Sequence, residues 1–171
     1  LGKGAIDETD DLALGMLGMH GRKVANDSIN DSDLIIAIGI RFSDRTTGRL
    51  DSFAPNSKVI HIDIDPAEIG KNVDVDLPIV GDAKHVLSTL LGLLKDYTAA
   101  DSVKQWANLL HEHKHEFYPR VSYDNVPLMP QSVIKEISQA LNEDSILVTD
   151  VGQNQMWAAH FYDVQKPRKF I

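Results

Sequence analysis

Three short apolar runs, each stopped by a glycine or a carboxylate, constrain this 171-residue chain more than any other feature. They are "DLIIAIGI" from Asp33, "KVIHIDID" from Lys58 and "LPIVGD" from Leu77. Runs this short, rich in Ile and Val, read as buried strands of a parallel sheet. Pro66 bars ladder pairing beyond the second run. Helical signals fill the intervals. A helix is expected from near Arg22 through "KVANDSIN", "RFSDRTTGRLDSF" reads as polar loop with helical turns, and "PAEIGKN" as a short helix or turn. Apolar residues at Val86, Leu87, Leu90, Leu91, Leu93 and Leu94 predict an amphipathic helix with Asp82 as its cap. Residues 101–118 predict another, with Pro119 at its stop. Alternating strands and helices argue for a Rossmann-like, doubly wound α/β domain.

"RVSYDNVPLMP" carries two prolines and no periodicity, which marks a linker. After it, Val133, Ile134, Ile137 and Leu141 share one face of a predicted helix. "SILVTDVG" reads as a strand and "NQMWAAHFY" as the start of a helix. The expected division is residues 1–120 as a nucleotide-binding domain, 121–129 as linker and 130–171 as a second α/β unit. One strand cannot make a sheet, so the second unit is either an extension of the first sheet or an incomplete domain.

Net charge is −8 with a pI near 5.2, which disfavours nucleic acid as a partner. The chain has no cysteine, so disulfides, thiolate metal sites and cysteine nucleophiles are excluded. No apolar run approaches membrane-spanning length. The acidic "LGKGAIDETDD" resembles neither a signal nor a transit peptide. A cytoplasmic location and no membrane partner are expected.

The chemistry concentrates where the strands end, the edge at which open α/β sheets bind ligands. Gly39 allows backbone to approach a ligand, and Arg41 and Arg45 can meet phosphate. Asp63 follows Gly39 at close to the ~20-residue offset of a ribose-binding carboxylate. Gly81 and Asp82 close the third run, and "GMLGMHG" adds a flexible, donor-rich loop upstream. Each feature also has a plain account: turn glycines, exposed strand-end acids, a helix cap, and surface ion pairs among Arg41, Asp44 and Arg45. No G-x-G-x-x-G is present. The combination favours a nucleotide-type ligand. "HEHKH" from His111 satisfies the H-E-x-x-H zinc pattern, but no third ligand follows at a recognisable spacing. A solvated helix face accounts for these histidines, and no metal site is expected.

Taken in order, "LGMLGMHG", "IGIRFSDRTTG", "IHIDIDPAEIGKN", "VGD" and "DVGQNQMWAAHFY" resemble segments of the acetohydroxyacid synthase (acetolactate synthase) large-subunit family. The resemblance covers nearly the whole chain, with no recognised motif in residues 95–127. It implies three α/β domains using thiamine diphosphate, Mg²⁺ and FAD. It implies decarboxylation of pyruvate and transfer of the two-carbon unit to pyruvate or 2-ketobutyrate, in branched-chain amino-acid synthesis. The assembly implied is a homodimer or homotetramer with a regulatory subunit. On this resemblance the chain is expected to be the central FAD-binding domain plus the opening of the thiamine diphosphate domain. It is expected to contain no catalytic residue, to bind FAD weakly or not at all, and to be inactive alone. Gly18, Met19, His20 and Gly21 would lie along FAD, as would Gly39, Ile40, Arg41 and Arg45. Asp63 and Ile64 would hold its adenosine side, closed by Gly81 and Asp82. Val151, Gly152, Gln153, Asn154, Gln155 and Met156 match the thiamine diphosphate loop. Two positions depart: the family often has Asp at Ser43 and His at Asn154. Rival readings are a related thiamine enzyme, such as glyoxylate carboligase or oxalyl-CoA decarboxylase, and a non-catalytic nucleotide-binding module.

Overall fold

The computed structural model of the chain describes residues 2–118 and 120–171. Its elements run α1 (Lys23–Asp31), β1 (Leu34–Ile38), α2 (Asp44–Thr47), a 3-10 turn (Leu50–Ser52), β2 (Lys58–Asp63), β3 (Leu77–Val80), α3 (Ala83–Leu93), α4 (Asp101–Glu116), α5 (Pro130–Ala140) and α6 (Gln153–Phe161). Pro119, expected to stop the fourth long helix, lies outside the described residues. The chain divides into two compact units. One comprises the residues up to Ala25 together with Ala107–Ile171, and the other is Asn26–Trp106. These compact units are cut at different places from the expected linker at residues 121–129.

The Asn26–Trp106 unit carries the expected α/β architecture. Its three strands are parallel, in the order β1-β2-β3. Parallel registration pairs Ile35 with Val59 and Ala37 with His61, which puts all four on one face. That face is dry: Ile35, Ala37 and Val59 cluster with Phe42 and Ala54, and Ile29, Phe53, Val73 and Val75 pack around them. Burying one such branched side chain contributes about 1.5–3 kcal/mol. On β1 the opposite face does not match the expectation of a strand buried on both sides. Leu34, Ile36 and Ile38 remain exposed at 47, 46 and 42%. The apolar run recorded β propensity, whereas burial depends on what packs against each face.

Asp76 closes the start of the β2–β3 ladder. Its N–H donates to the Val59 carbonyl at 2.9 Å, and its carboxylate accepts from the Val59 N–H at 2.7 Å. Pro78 then sits inside β3. Gly81 N–H donates to Asp63 O at 2.9 Å. Peptide groups alternate along a strand, so the nitrogen of Pro78 lies on the side away from β2, where a missing donor breaks no bond. Asp82 caps α3 as expected, its carboxylate accepting from His85 N–H at 3.1 Å. The helix leaves Leu91 and Leu93 exposed.

In the other unit, the acidic N-terminal stretch is pinned rather than loose. Glu8 accepts from Val164 N–H at 2.9 Å and pairs with Lys3. Lys3 also donates to the Ala159 carbonyl at 3.1 Å. Around this knot lie buried Val164, Tyr162, Phe161 and Ala158. The expected strand over residues 145–150 does not form. Leu147 makes a single parallel bridge to Phe170, with bonds running to Lys169 and Ile171. The pairing stays at this bridge and the bond from Thr149 N–H to Ile171 O at 2.9 Å. The apolar face expected on α5 is likewise not turned inward: Val133 and Ile137 are exposed, and Ser132 is the buried residue, its hydroxyl donating to Ser122 O at 2.6 Å. No helix among the described residues is long and apolar enough to cross a membrane.

Candidate functional site

The carboxyl edge of the sheet brings Gly39, Asp63, Ile64, Gly81 and Asp82, out of the expected residues, into one row. Ile38 is opposite Ile62, and Asp63 is opposite Val80. The residues that follow, Gly39, Asp63 with Ile64, and Gly81 with Asp82, therefore stand side by side. At a strand spacing of ~4.8 Å the row spans about 10 Å. Gly39 has φ +61°, a left-handed conformation that favours glycine, and open space where a Cβ would project. Its N–H is already given to Ile62 O at 2.9 Å, and that of Gly81 to Asp63 O. Gly39 thus offers close approach rather than a free donor, whereas a Cβ on Gly81 would lie 3.0 Å from the Val86 side chain of α3. Charge comes from side chains. Arg41 and Arg45 are exposed, and neither forms an ion pair among the described residues. The expected alternative, a cluster with Asp44, is not formed; Asp44 instead accepts from Arg45 N–H at 2.9 Å. Asp63 is half-buried, with one carboxylate oxygen accepting from Asp65 N–H at 2.9 Å. Ile64 is 71% exposed beside it, an apolar surface for a flat ring.

Two residues that support this edge carry no obvious signal in the sequence. His61 is fully buried, packed edge-on against Phe42 at 5.2 Å. Its Nε2 lies 2.9 Å from the Ile40 carbonyl. A carbonyl only accepts, so Nε2 carries the hydrogen and holds the Gly39–Arg41 turn to the core. Asn72 donates to the Arg41 carbonyl at 3.0 Å from the loop before β3. Ser43, at the N-cap of α2, makes no side-chain capping bond.

Gly18, Met19, His20 and Gly21 belong to the other unit. They form a tight loop closed by Gly21 N–H to Gly18 O and Arg22 N–H to Met16 O, both 2.8 Å. A Cβ on Gly21 would lie 2.5 Å from Met16 O and 2.7 Å from Gly18 N, so only glycine closes it. Met19 is exposed. His160 on α6 donates Nε2–H to His20 O at 2.7 Å, and Arg22 donates to His160 O. Burial, ahead of the nearby Arg22 and Lys3 cations, pushes the His160 imidazole below its ordinary range, against the raising effect of its bond to His20. The folded form therefore resists protonation, and the unfolded form takes up its proton near pH ~6.5. Stability is expected to be complete above that pH and to fall as pH drops from it toward the depressed folded value. Urea titrations across this window should show a shallower fall in His160→Gln, which keeps the donor. An unchanged slope would assign the dependence to another group.

Residues 151–156 stand at the start of α6. Gly152 is its N-cap, in extended conformation with no side-chain capping bond. Val151, Gly152, Gln153, Asn154 and Gln155 are exposed, and Met156 is half-buried. Asn154 Nδ2 points back to the Asp150 carbonyl at 3.5 Å, and Asp150 accepts from Val151 N–H at 2.7 Å. The N-terminus of a helix presents backbone donors and a positive dipole end, suited to an anionic group. The segment contains no carboxylate.

A parallel three-stranded sheet with its helices defines the class as an α/β domain, with glycines, carboxylates and guanidinium groups along its carboxyl edge. The comparison with known families makes that specific. The family described as "Thiamine pyrophosphate enzyme, central domain" matches residues 1–90, more than half of the chain, and the chain belongs to it. Curated relatives are acetolactate synthase large subunits. The chain is 50% identical over 177 residues to a probable acetolactate synthase large subunit of Methanocaldococcus jannaschii, with all of the chain and 30% of the relative covered. It is 48% identical over 184 residues to the probable large subunit of Methanococcus aeolicus, covering 100% and 31%. It is 48% identical over 172 residues to the large subunit of Corynebacterium glutamicum, covering 98% and 27%. The chain spans about three tenths of the length of these relatives.

Proposed function

We propose that the chain serves as part of an acetolactate synthase large subunit in the cytoplasm. That enzyme decarboxylates pyruvate and joins the two-carbon unit to pyruvate or 2-ketobutyrate. The row of strand ends from Gly39 through Asp63 to Gly81 is the observation that supports this reading most. Its fit to the ADP half of FAD is chemical. Asp63 accepts from ribose or adenine donors, Arg41 and Arg45 meet the diphosphate, and Gly39 lets backbone close on the ligand. Gly18, Met19, His20 and Gly21 extend the FAD assignment, with Ile40, Ile64, Gly81 and Asp82 completing it. Val151 to Met156 would hold the anionic end of thiamine diphosphate at the α6 N-terminus. The bound cofactor supplies a carbanion-stabilising centre; the residues of this chain bind and orient. Asn154 hydrogen-bonds but carries no titratable ring, and no residue here is assigned as a Mg²⁺ ligand or catalytic group. The proposed assembly is a homodimer or homotetramer with a regulatory subunit. Titration with FAD and separately with ADP tests the reading. Saturable FAD binding with flavin fluorescence quenching, competed by ADP, is expected. Binding of ADP with no quenching of added flavin would favour a nucleotide module of another kind.

A further inference from the structure

His111 and His115 lie one turn apart on α4, their rings edge-on with centroids 4.5 Å apart. Sequence spacing gives them no third donor. The fold supplies one from a hundred residues away. Asp11, His111 and His115 each offer a ligand atom, and these atoms lie within 4.8 Å of one another. His111 Nδ1 is 3.7 Å from Asp11 Oδ1. We propose that Asp11, His111 and His115 form a binding site for a divalent transition ion of the zinc class, a site independent of the cofactor reading above.

The geometry is close to what such an ion requires. Zinc holds imidazole nitrogen and carboxylate oxygen at about 2.0–2.2 Å, which at tetrahedral angles sets donors ~3.4 Å apart. Closing the cluster takes a movement of about 1 Å at most at each donor. Side-chain rotation provides it, because Asp11 and His115 are exposed and His111 is only half-buried. The backbone that presents Asp11 is already held. Lys114 Nζ donates to Asp10 O at 2.6 Å and to Asp11 O at 3.5 Å. Asp10 accepts from Leu12 N–H at 2.8 Å and from Ala13 N–H at 3.0 Å, and Ala13 is buried. The backbone that carries Asp11 is thus held beside the helix, and only the three side chains have to order on binding.

Two imidazoles and one carboxylate select zinc, cobalt, nickel or copper over magnesium or calcium, which prefer all-oxygen sites. Three protein ligands leave coordination positions for water, the pattern of an open site. The competing account is an exposed Asp–His ion pair on a solvated helix face, which contributes little.

Cobalt and zinc titrations of the full chain, carrying no added histidine tag, decide between them. One ion per chain is expected, with cobalt giving visible absorption bands and magnesium failing to compete. Replacing a group that merely supports a ligand costs about 10–100-fold in metal affinity. Asp11→Asn, His111→Ala and His115→Ala should each lose at least that much, while His113→Ala, between the two ligands in sequence, should bind like the wild type. All substituted side chains are exposed or half-buried, so circular dichroism should show the variants folded. Equal affinity in the wild type and in His111→Ala/His115→Ala, or no cobalt spectrum at saturation, would overturn the site and leave the ion pair alone.

Discussion

Glu8→Ala is expected to lower stability by about 3–5 kcal/mol, the usual effect of removing one partner of a buried ion pair. The Lys3 and Glu8 side chains are only 13% and 15% exposed. Glu8 also accepts the Val164 N–H, and Val164 is 1% exposed. Truncation therefore leaves the Val164 amide without its acceptor and the Lys3 ammonium with the Ala159 carbonyl in place of a carboxylate. The reverse change should be milder. Burial pushes the Lys3 ammonium below its ordinary range despite the pairing with Glu8, so desolvation outweighs attraction at that group. Lys3→Met removes the desolvated charge and leaves Glu8 its bond to Val164. Chemical denaturation of both variants checks this. A loss from Lys3→Met as large as that from Glu8→Ala would show that the pair itself, and not the stranded partner, carries the stability.

Asp63→Ala is expected to weaken FAD and ADP binding about ten- to hundredfold, the equivalent of one charge-assisted hydrogen bond. The same carboxylate accepts from Asp65 N–H and shapes the turn after β2, so loss of binding in alanine alone would be ambiguous. Asp63→Asn separates the two roles. The amide oxygen keeps the turn, while the charge offered to a ligand donor is gone. Intermediate affinity is expected for asparagine, measured by flavin fluorescence. Wild-type affinity in both variants would remove Asp63 from the binding row.

The parallel sheet was readable because its signal is local. Ile and Val runs, the proline after Asp65 and the acidic cap at Asp82 each act within a few residues. The ends of the strands were readable for the same reason, and β registration then set Gly39, Asp63 and Gly81 side by side. What the sequence did not show depends on distant partners. Nothing near Asp11 announces His111, and nothing in "LGKGAIDETDD" marks Glu8 as the acceptor for Val164. His61 looks like one more residue in a β-rich run, yet it ties the core to the Ile40 carbonyl. The failed strand at 145–150 makes the same point from the other side. "SILVTD" has the composition of a strand, but a strand exists only where a neighbour pairs with it along its length, and here the pairing is a single bridge from Leu147 to Phe170.

Pro78 gives the two rims of the sheet different propensities to recruit foreign chain. A strand arriving beside β3 meets an interrupted row, since the outward position of Pro78 has no hydrogen to donate. Templated growth of the kind that seeds cross-β fibrils needs an unbroken row. Polymerisation through that rim is therefore blocked by one imino acid, at a point where the native pairing to β2 loses nothing.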